Sequence, residues 1–207
     1  MVLRHFWDGM HSLSAFTARN LAAALALDRS GRSLGTGRLL DVGGGGGAYA
    51  IELCRRFPAL DVTIFDLPFV CDLTRPRIAE AGLTDRIAFR GGDFFTDELP
   101  RGHDTALLSN VLHDWGENEV QTIIDRCAAH LPSGGTLLIC ESFVDDDKRG
   151  PVQAALMSLN MLVETWGRNY TAAEYAHWLR AAGLEPEGVT PFPGLGANGV
   201  LTARKHK

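Results

Sequence analysis

Apolar residues recur along this chain in two alternating textures. Short unbroken runs are separated by longer stretches in which apolar positions return every three to four residues. The short runs Arg38–Val42, Val62–Phe65, Ile87–Arg90, Thr105–Ser109 and Thr136–Cys140 read as buried strands, rich in branched and aromatic side chains. The longer stretches predict helices over 12–27, Tyr49–Phe57, Pro76–Ala81, Glu117–His130, Val152–Val163 and Ala172–Ala182. Val120, Ile123, Ile124, Cys127 and Leu131 show the helical spacing well. Thr171, with Glu174 three residues on, forms a capping box that starts the last helix. Gly31 to Gly37 reads as a loop, and Gly188 to Ala203 as two strands joined around Pro191–Gly199. Strand and helix alternate throughout, which predicts an α/β domain built on a mainly parallel sheet.

Composition narrows the class. The 207 residues suffice for one α/β domain, and 45% apolar with 22% charged residues excludes disordered or collagen-like chains. Net charge is −5, and Lys and Arg cluster only in the tail Arg204-Lys205-His206-Lys207, which reads as a solvated terminus. A nucleic-acid partner is therefore disfavoured. Cys54, Cys71, Cys127 and Cys140 lack metal-site spacing and sit in or beside apolar runs, as small buried hydrophobes do. No metal is expected, and the compartment is expected to be reducing and cytoplasmic, without disulfides. No apolar run is long enough to span a bilayer, and Met1 to Trp7 lacks the apolar core of a signal peptide, so no membrane partner is expected.

Candidate chemistry gathers where the strands end. Asp41-Val42 leads into the glycines at 43–47, after a strand and before a helix. Glycines there let a ligand approach the backbone closely, and the helix N-terminus adds N–H donors. Asp66 ends the second strand, placed to receive ribose hydroxyls. Asp93, in Gly91-Gly92-Asp93-Phe94-Phe95, follows the third; it could accept from an adenine amino group with Phe94 on the ring, or simply cap the next turn. Gly43, Gly45 and Ala48 keep a relaxed dinucleotide fingerprint open, whereas the absence of Gly-Lys-Ser/Thr excludes a P-loop.

DVGGGGG, FDLP, GGDFF and NVLHDW, in that order, resemble the small-molecule O-methyltransferases of plants and bacteria, over nearly the whole chain. The resemblance implies a Rossmann-like class I methyltransferase fold that uses S-adenosylmethionine: seven strands, mostly parallel, with the last antiparallel and helices on both faces. It implies that Gly43 and Gly45 cradle the methionine part of the cofactor, that Asp66 binds the ribose, that Leu67 is a further cofactor contact, that Asp93 and Phe94 meet the adenine, and that Ser109 is a polar contact. Phe6 and Met10 would line the acceptor pocket and Ser14 would touch the cofactor. Residues 1–30 would thus form a helical segment contributing to that pocket, and 31–207 the catalytic domain. Relatives carry a further N-terminal helical domain that forms homodimers, expected to be missing from this chain.

Within the same resemblance His113 is the general base. A phenol has a pKa near 10, and a neutral imidazole can take its proton as the oxygen attacks. Glu141, ending the fifth strand, matches an acid that orients the base; a solvent-facing strand end is the plainer alternative. Asn169 stands where many plant relatives have a second acid, and could bond a ring nitrogen without supplying charge. Asp114 reads as the cap of the helix near Glu117, and Trp115 as cofactor packing or core. Met157, Asn160, Met161 and Glu164 lie on a helix expected to line the acceptor pocket, although a methionine pair is equally compatible with core. The expected reaction is methyl transfer to a hydroxyl, phenolic as the resemblance implies, on a small aromatic molecule. C- or N-methylation, a binding fragment without turnover, and more distantly an NAD-dependent reductase remain alternatives.

Overall fold

The computed structural model describes residues 2–27 and 37–206; the side chains of 2–8, 10, 13 and 27 are outside that description. Seven strands form one sheet: β1 (Arg38–Val42), β2 (Asp61–Asp66), β3 (Ile87–Gly91), β4 (Thr105–Ser109), β5 (Thr136–Glu141), β6 (Leu184–Pro191) and β7 (Gly199–Lys205). Their order is β3-β2-β1-β4-β5-β7-β6, parallel except that β7 runs antiparallel to both of its neighbours. Among the described residues six α-helices complete the fold: α1 (Val2–Leu27), α2 (Ala48–Arg56), α3 (Pro68–Glu80), α4 (Glu117–His130), α5 (Val152–Glu164) and α6 (Ala172–Ala181).

Both sheet faces are covered, which is why the strands read as apolar runs rather than alternating ones. Leu40, Val42, Ala106, Leu108, Leu137 and Ile139 face Val120, Ile124, Tyr175 and Leu179 of α4 and α6. Leu39, Ile64, Leu107 and Leu138 face Leu21, Ile51, Leu53 and Ile78 of α1, α2 and α3. All four cysteines are free and buried. Among the described residues no helix is long and apolar enough to cross a membrane. On α5 the side chains of Leu156, Leu159, Leu162 and Val163 remain exposed.

Three expectations are corrected. The helix expected over Pro76–Ala81 is α3, which begins at Pro68 and carries Pro76 inside it. Burial of Val70, Cys71, Thr74 and Ile78 along one face outweighs the hydrogen bond that Pro76 cannot make. The strand expected from Gly188 begins earlier, at Leu184, and accommodates Pro186 beside a register shift. It lies at the sheet edge, where only one side of the backbone needs a partner. The basic tail is not a free terminus either: Arg204 pairs with Glu187 at 3.1 Å, and Lys205 Nζ donates to the carbonyls of Ala128 and Leu131, both at 2.7 Å. The expected loop 31–36 and the expected boundary at residue 30 lie outside the described residues.

Candidate active site

Parallel strands leave their C-terminal ends facing one way, and the β1–β4 strand reversal opens a crevice there. A cavity of about 620 Å³ occupies it. Its floor is the β1–α2 turn. Gly43 has φ +72°, donates its N–H to Phe65 O at 2.8 Å, and a Cβ on it would come within 2.8 Å of Val111. Gly47, at φ +73°, caps α2, where a Cβ would press on Thr74 and Ile78. Both positions therefore require glycine.

Asp66 stands over this turn with each carboxylate oxygen already aimed. Oδ2 accepts from Gly45 N at 2.8 Å and Oδ1 from Leu67 N at 2.7 Å. Burial raises its pKa while those two N–H groups oppose the rise. Asp93 Oδ1 accepts from Phe95 N at 2.8 Å, closing a local turn, and the residue also lines the cavity. Phe94 and Phe95 meet Trp115 edge-on, with centroids 6.0 and 4.7 Å apart, so Trp115 serves both the aromatic packing and the cavity wall.

Across the cavity, a 3-10 turn over Leu112–Asp114 carries His113. Its Nδ1 lies 2.6 Å from Glu141 Oε2, while Glu141 Oε1 accepts from Val111 N and Leu112 N, both at 2.9 Å. A carboxylate accepts, so Nδ1 carries the proton and Nε2 is the ring atom free to exchange one. Glu141 is 1% exposed, which replaces the solvent-facing alternative with a buried one. Burial disfavours the imidazolium, but Glu141's charge and hydrogen bond, with Asp114 adding to them, outweigh it and lift the His113 pKa to about 9.

Asp114 is not the cap of α4. That helix is capped by Gly116 without a side-chain bond, and Asp114 Oδ1 instead sits 3.5 Å from His113 Nε2. Asn169 does not reach the imidazole: its amide donates to Ala154 O at 2.9 Å and its backbone N–H to Ser158 Oγ at 3.2 Å, tying the chain to α5. The segment around it still supports the His113 turn, because Gly167 packs on the His113 backbone and Tyr170 Oη donates to Trp115 O at 2.6 Å.

Ser14, Gly43, Gly45, Asp66, Leu67, Asp93, Phe94, Ser109, His113, Asn160 and Glu164 all line the one cavity, with Glu141 just behind it. Met157 and Met161 line it too, and Met161 is also buried, so pocket and core are not exclusive here. Phe6 and Met10 belong to α1, but their side chains lie outside the described residues. Sequence reasoning missed Tyr49 and Asn110, which share a 3.0 Å hydrogen bond at the cavity wall. A signal existed for Asn110: it ends a strand just before the histidine turn, and asparagine tolerates its φ of +52°.

The cavity's charge discriminates between ligands. Four carboxylates line it, from Asp66, Asp93, Asp114 and Glu164, and among the described lining residues there is no Lys or Arg. Such a wall suits a ligand bearing cationic groups and opposes the pyrophosphate of a dinucleotide. The lone pairs left on Asp66 suit vicinal ribose hydroxyls, so these residues fit a sulfonium nucleoside.

Comparison with known proteins agrees. The family model for the O-methyltransferase domain matches residues 2–185. The chain is 54% identical over 200 residues to 3-hydroxy-5-methyl-1-naphthoate 3-O-methyltransferase of Streptomyces sahachiroi, covering 97% of this chain and 56% of that protein. It is 36% identical over 204 residues to L-tyrosine C(3)-methyltransferase of Streptomyces lavendulae, covering 97% of this chain and 54% of that protein. Among solved structures, human N-acetylserotonin methyltransferase in complex with SAM superposes with a TM-score of 0.85 at 30% identity, over 99% of this chain and 56% of that one. The chain thus spans about half the length of these relatives. Its sheet order, glycine turn and sequence match place it together: it has the class I S-adenosylmethionine-dependent methyltransferase fold and belongs to the O-methyltransferase domain family.

Proposed function

We propose that this chain binds S-adenosylmethionine and catalyses methyl transfer to a hydroxyl of a small aromatic molecule, with His113 as general base. The observation that carries the reading is the buried Glu141–His113 pair, 2.6 Å apart, set across one cavity from Asp66 and the glycine turn. S-adenosylmethionine supplies an activated methyl group on a sulfonium leaving group. Asp66 and Leu67 hold its ribose, Gly43, Gly45 and Ser14 its methionine part, and Asp93 and Phe94 its adenine, with Ser109 as a further polar contact. The four carboxylates around the cavity favour its positive charge.

His113 Nε2 then takes the proton of the acceptor hydroxyl, and Glu141 stabilises the imidazolium so formed. Asp114, 3.5 Å from Nε2, adds to that stabilisation in place of Asn169. A cationic sulfonium in the cavity disfavours the imidazolium, shifting His113 toward the neutral form it needs as a base. Met157, Asn160, Met161, Glu164 and Trp115 shape the acceptor's place, and the naphthoate enzyme's likeness makes a hydroxylated bicyclic aromatic the acceptor to try first. Four free buried cysteines are consistent with a cytoplasmic setting.

Calorimetric titration with S-adenosylhomocysteine, against NADH as control, tests the cofactor half. Saturable binding of S-adenosylhomocysteine alone supports the reading, and binding of NADH alone overturns it. Methylation of 3-hydroxy-5-methyl-1-naphthoate, lost in His113→Ala, tests the catalytic half.

The likeness to a tyrosine C(3)-methyltransferase favours one second reading, transfer to a ring carbon ortho to a phenol. There His113 would still deprotonate the hydroxyl, activating the ring. The product's carbon NMR decides, since a methoxy and an aryl methyl carbon resonate far apart.

A further inference from the structure

At the opposite edge of the sheet, where β1 and β4 begin, lies a second cavity of about 590 Å³. Its chemistry inverts that of the first. Arg38, Arg101 and Arg126 line it, together with His103 and His130. In a chain of net charge −5 this is a local concentration of cations. Among the described residues, the guanidinium groups of Arg38 and Arg101 make no hydrogen bond and no ion pair. Arg38's guanidinium rests against Gly102, 3.5 Å from where a Cβ would stand, beside His103. Arg126 uses one Nη to reach Asp97 O and leaves its buried Nε without a partner.

The carboxylates nearby do not cancel these charges. Asp104 spends both oxygens locally, accepting from Arg38 N at 3.2 Å and Thr105 Oγ1 at 3.1 Å, and Glu98 is the other acid on the rim. Both histidines are pushed toward the neutral form. His103 donates from Nδ1 to Pro100 O at 2.8 Å, which leaves Nε2 to accept from Thr63 Oγ1 at 2.9 Å. Burial lowers both histidine pKa values, and for His130 the charges of His103, Arg101 and Lys205 lower it further. Two carbonyls at the α4 C-terminus, those of Ala128 and Leu131, which would repel an anion, accept from Lys205.

We propose that this cavity is a second binding site, for a phosphate monoester. The planar forks of Arg38, Arg101 and Arg126 grip the phosphate, while Leu99, Ala129, Pro132 and the histidine rings receive the organic part. Three guanidinium groups offer more charge and more donors than one carboxylate ligand can use, which favours a dianion. At 590 Å³ the cavity holds about twenty times the ~30 Å³ share of a water molecule, room for more than an inorganic ion. The site is remote from the methyl-transfer cavity and does not depend on that function.

Calorimetric titration of the 207-residue chain with phenyl phosphate, inorganic phosphate and benzoate tests the proposal. Phenyl phosphate should bind at one site, more tightly than inorganic phosphate and much more tightly than benzoate. Arg38→Ala and Arg101→Ala should each weaken it by about tenfold or more, because each removes a charge-assisted contact. Neither guanidinium supports the fold through a hydrogen bond, and S-adenosylhomocysteine affinity, measured on the same samples, should be the same in both variants. Absence of phenyl phosphate binding tighter than about 10 mM overturns the proposal. So does binding that the double variant leaves intact, binding that S-adenosylhomocysteine displaces, or a site that takes inorganic phosphate and refuses the ester.

Discussion

His113 Nδ1 and Glu141 Oε2 lie 2.6 Å apart, and the other oxygen of the same carboxylate receives the N–H groups of Val111 and Leu112. One buried side chain thus holds both the ring and the turn that carries it. This arrangement fixes the ring's tautomer as well as its direction.

Replacing His113 should separate chemistry from binding if it is the base proposed above. His113→Ala is expected to lower turnover by about 10²–10⁴-fold while leaving S-adenosylhomocysteine affinity nearly unchanged. Glu141→Gln should also lower turnover, because an amide N–H facing Nδ1 forces the wrong tautomer. Steady-state kinetics and calorimetry on both variants check this, and full activity in His113→Ala would remove that residue from the mechanism.

The same pair sets a pH dependence. His113 is lifted from 6.5 to about 9 by Glu141 and Asp114 against the effect of burial. A folded-state pKa above the unfolded one contributes stability that is fully present below about 6.5 and lost as pH rises through about 9. Histidine NMR of the free chain should show one imidazole titrating near that upper value, and Glu141→Gln should bring its midpoint down. A midpoint near 6.5 in the unaltered chain would contradict the pairing.

Asp66 presents two oriented oxygens to the cavity. Asp66→Ala is expected to weaken S-adenosylhomocysteine binding by about 1–3 kcal/mol through lost hydrogen bonds. Unchanged affinity by calorimetry would remove the ribose assignment.

Asp41 lies beneath the glycine turn, fully buried, and among the described residues neither of its oxygens has a hydrogen-bond partner. Burial, and then the charge of Asp66, raise its pKa from 3.8 to about 7. The unfolded chain ionises this group first, so stability falls as pH rises from about 4 through 7. Asp41→Asn should therefore be more stable than the parent at pH 8 by up to about 4 kcal/mol, with the difference vanishing toward pH 4. Denaturant unfolding at the two pH values tests the sign.

Gly167 faces the backbone of the Leu112–Asp114 turn so closely that a Cβ would fall 2.0 Å from His113 O. Gly167→Ala must displace that turn, and turnover should drop more than S-adenosylhomocysteine affinity does. Wild-type turnover in this variant would mean the contact is dispensable.

What was legible in the sequence was what depends on near neighbours. The strands Arg38–Val42 and Thr105–Ser109 and the helix Glu117–His130 have the bounds their apolar spacing predicts, because burial of a strand or of a helix face is written at short range. The glycine turn and the acids at 66 and 93 were legible for a related reason: parallel strands bring their C-terminal ends together whatever their order. Pro68–Arg75 and Leu184–Glu187 were not, since their helix and strand are stabilised by packing on the sheet and by pairing with β7 against weak local preference. Tertiary structure alone decided the partners of His113. Residues 113 and 141 meet because β4 lies beside β5, Asp114 turns to the ring because Gly116 starts the helix instead, and Asn169 is drawn away to α5. It alone also sorted the charges, gathering carboxylates at one end of the sheet and arginines at the other, because charge at a site is a property of which distant segments the fold brings together.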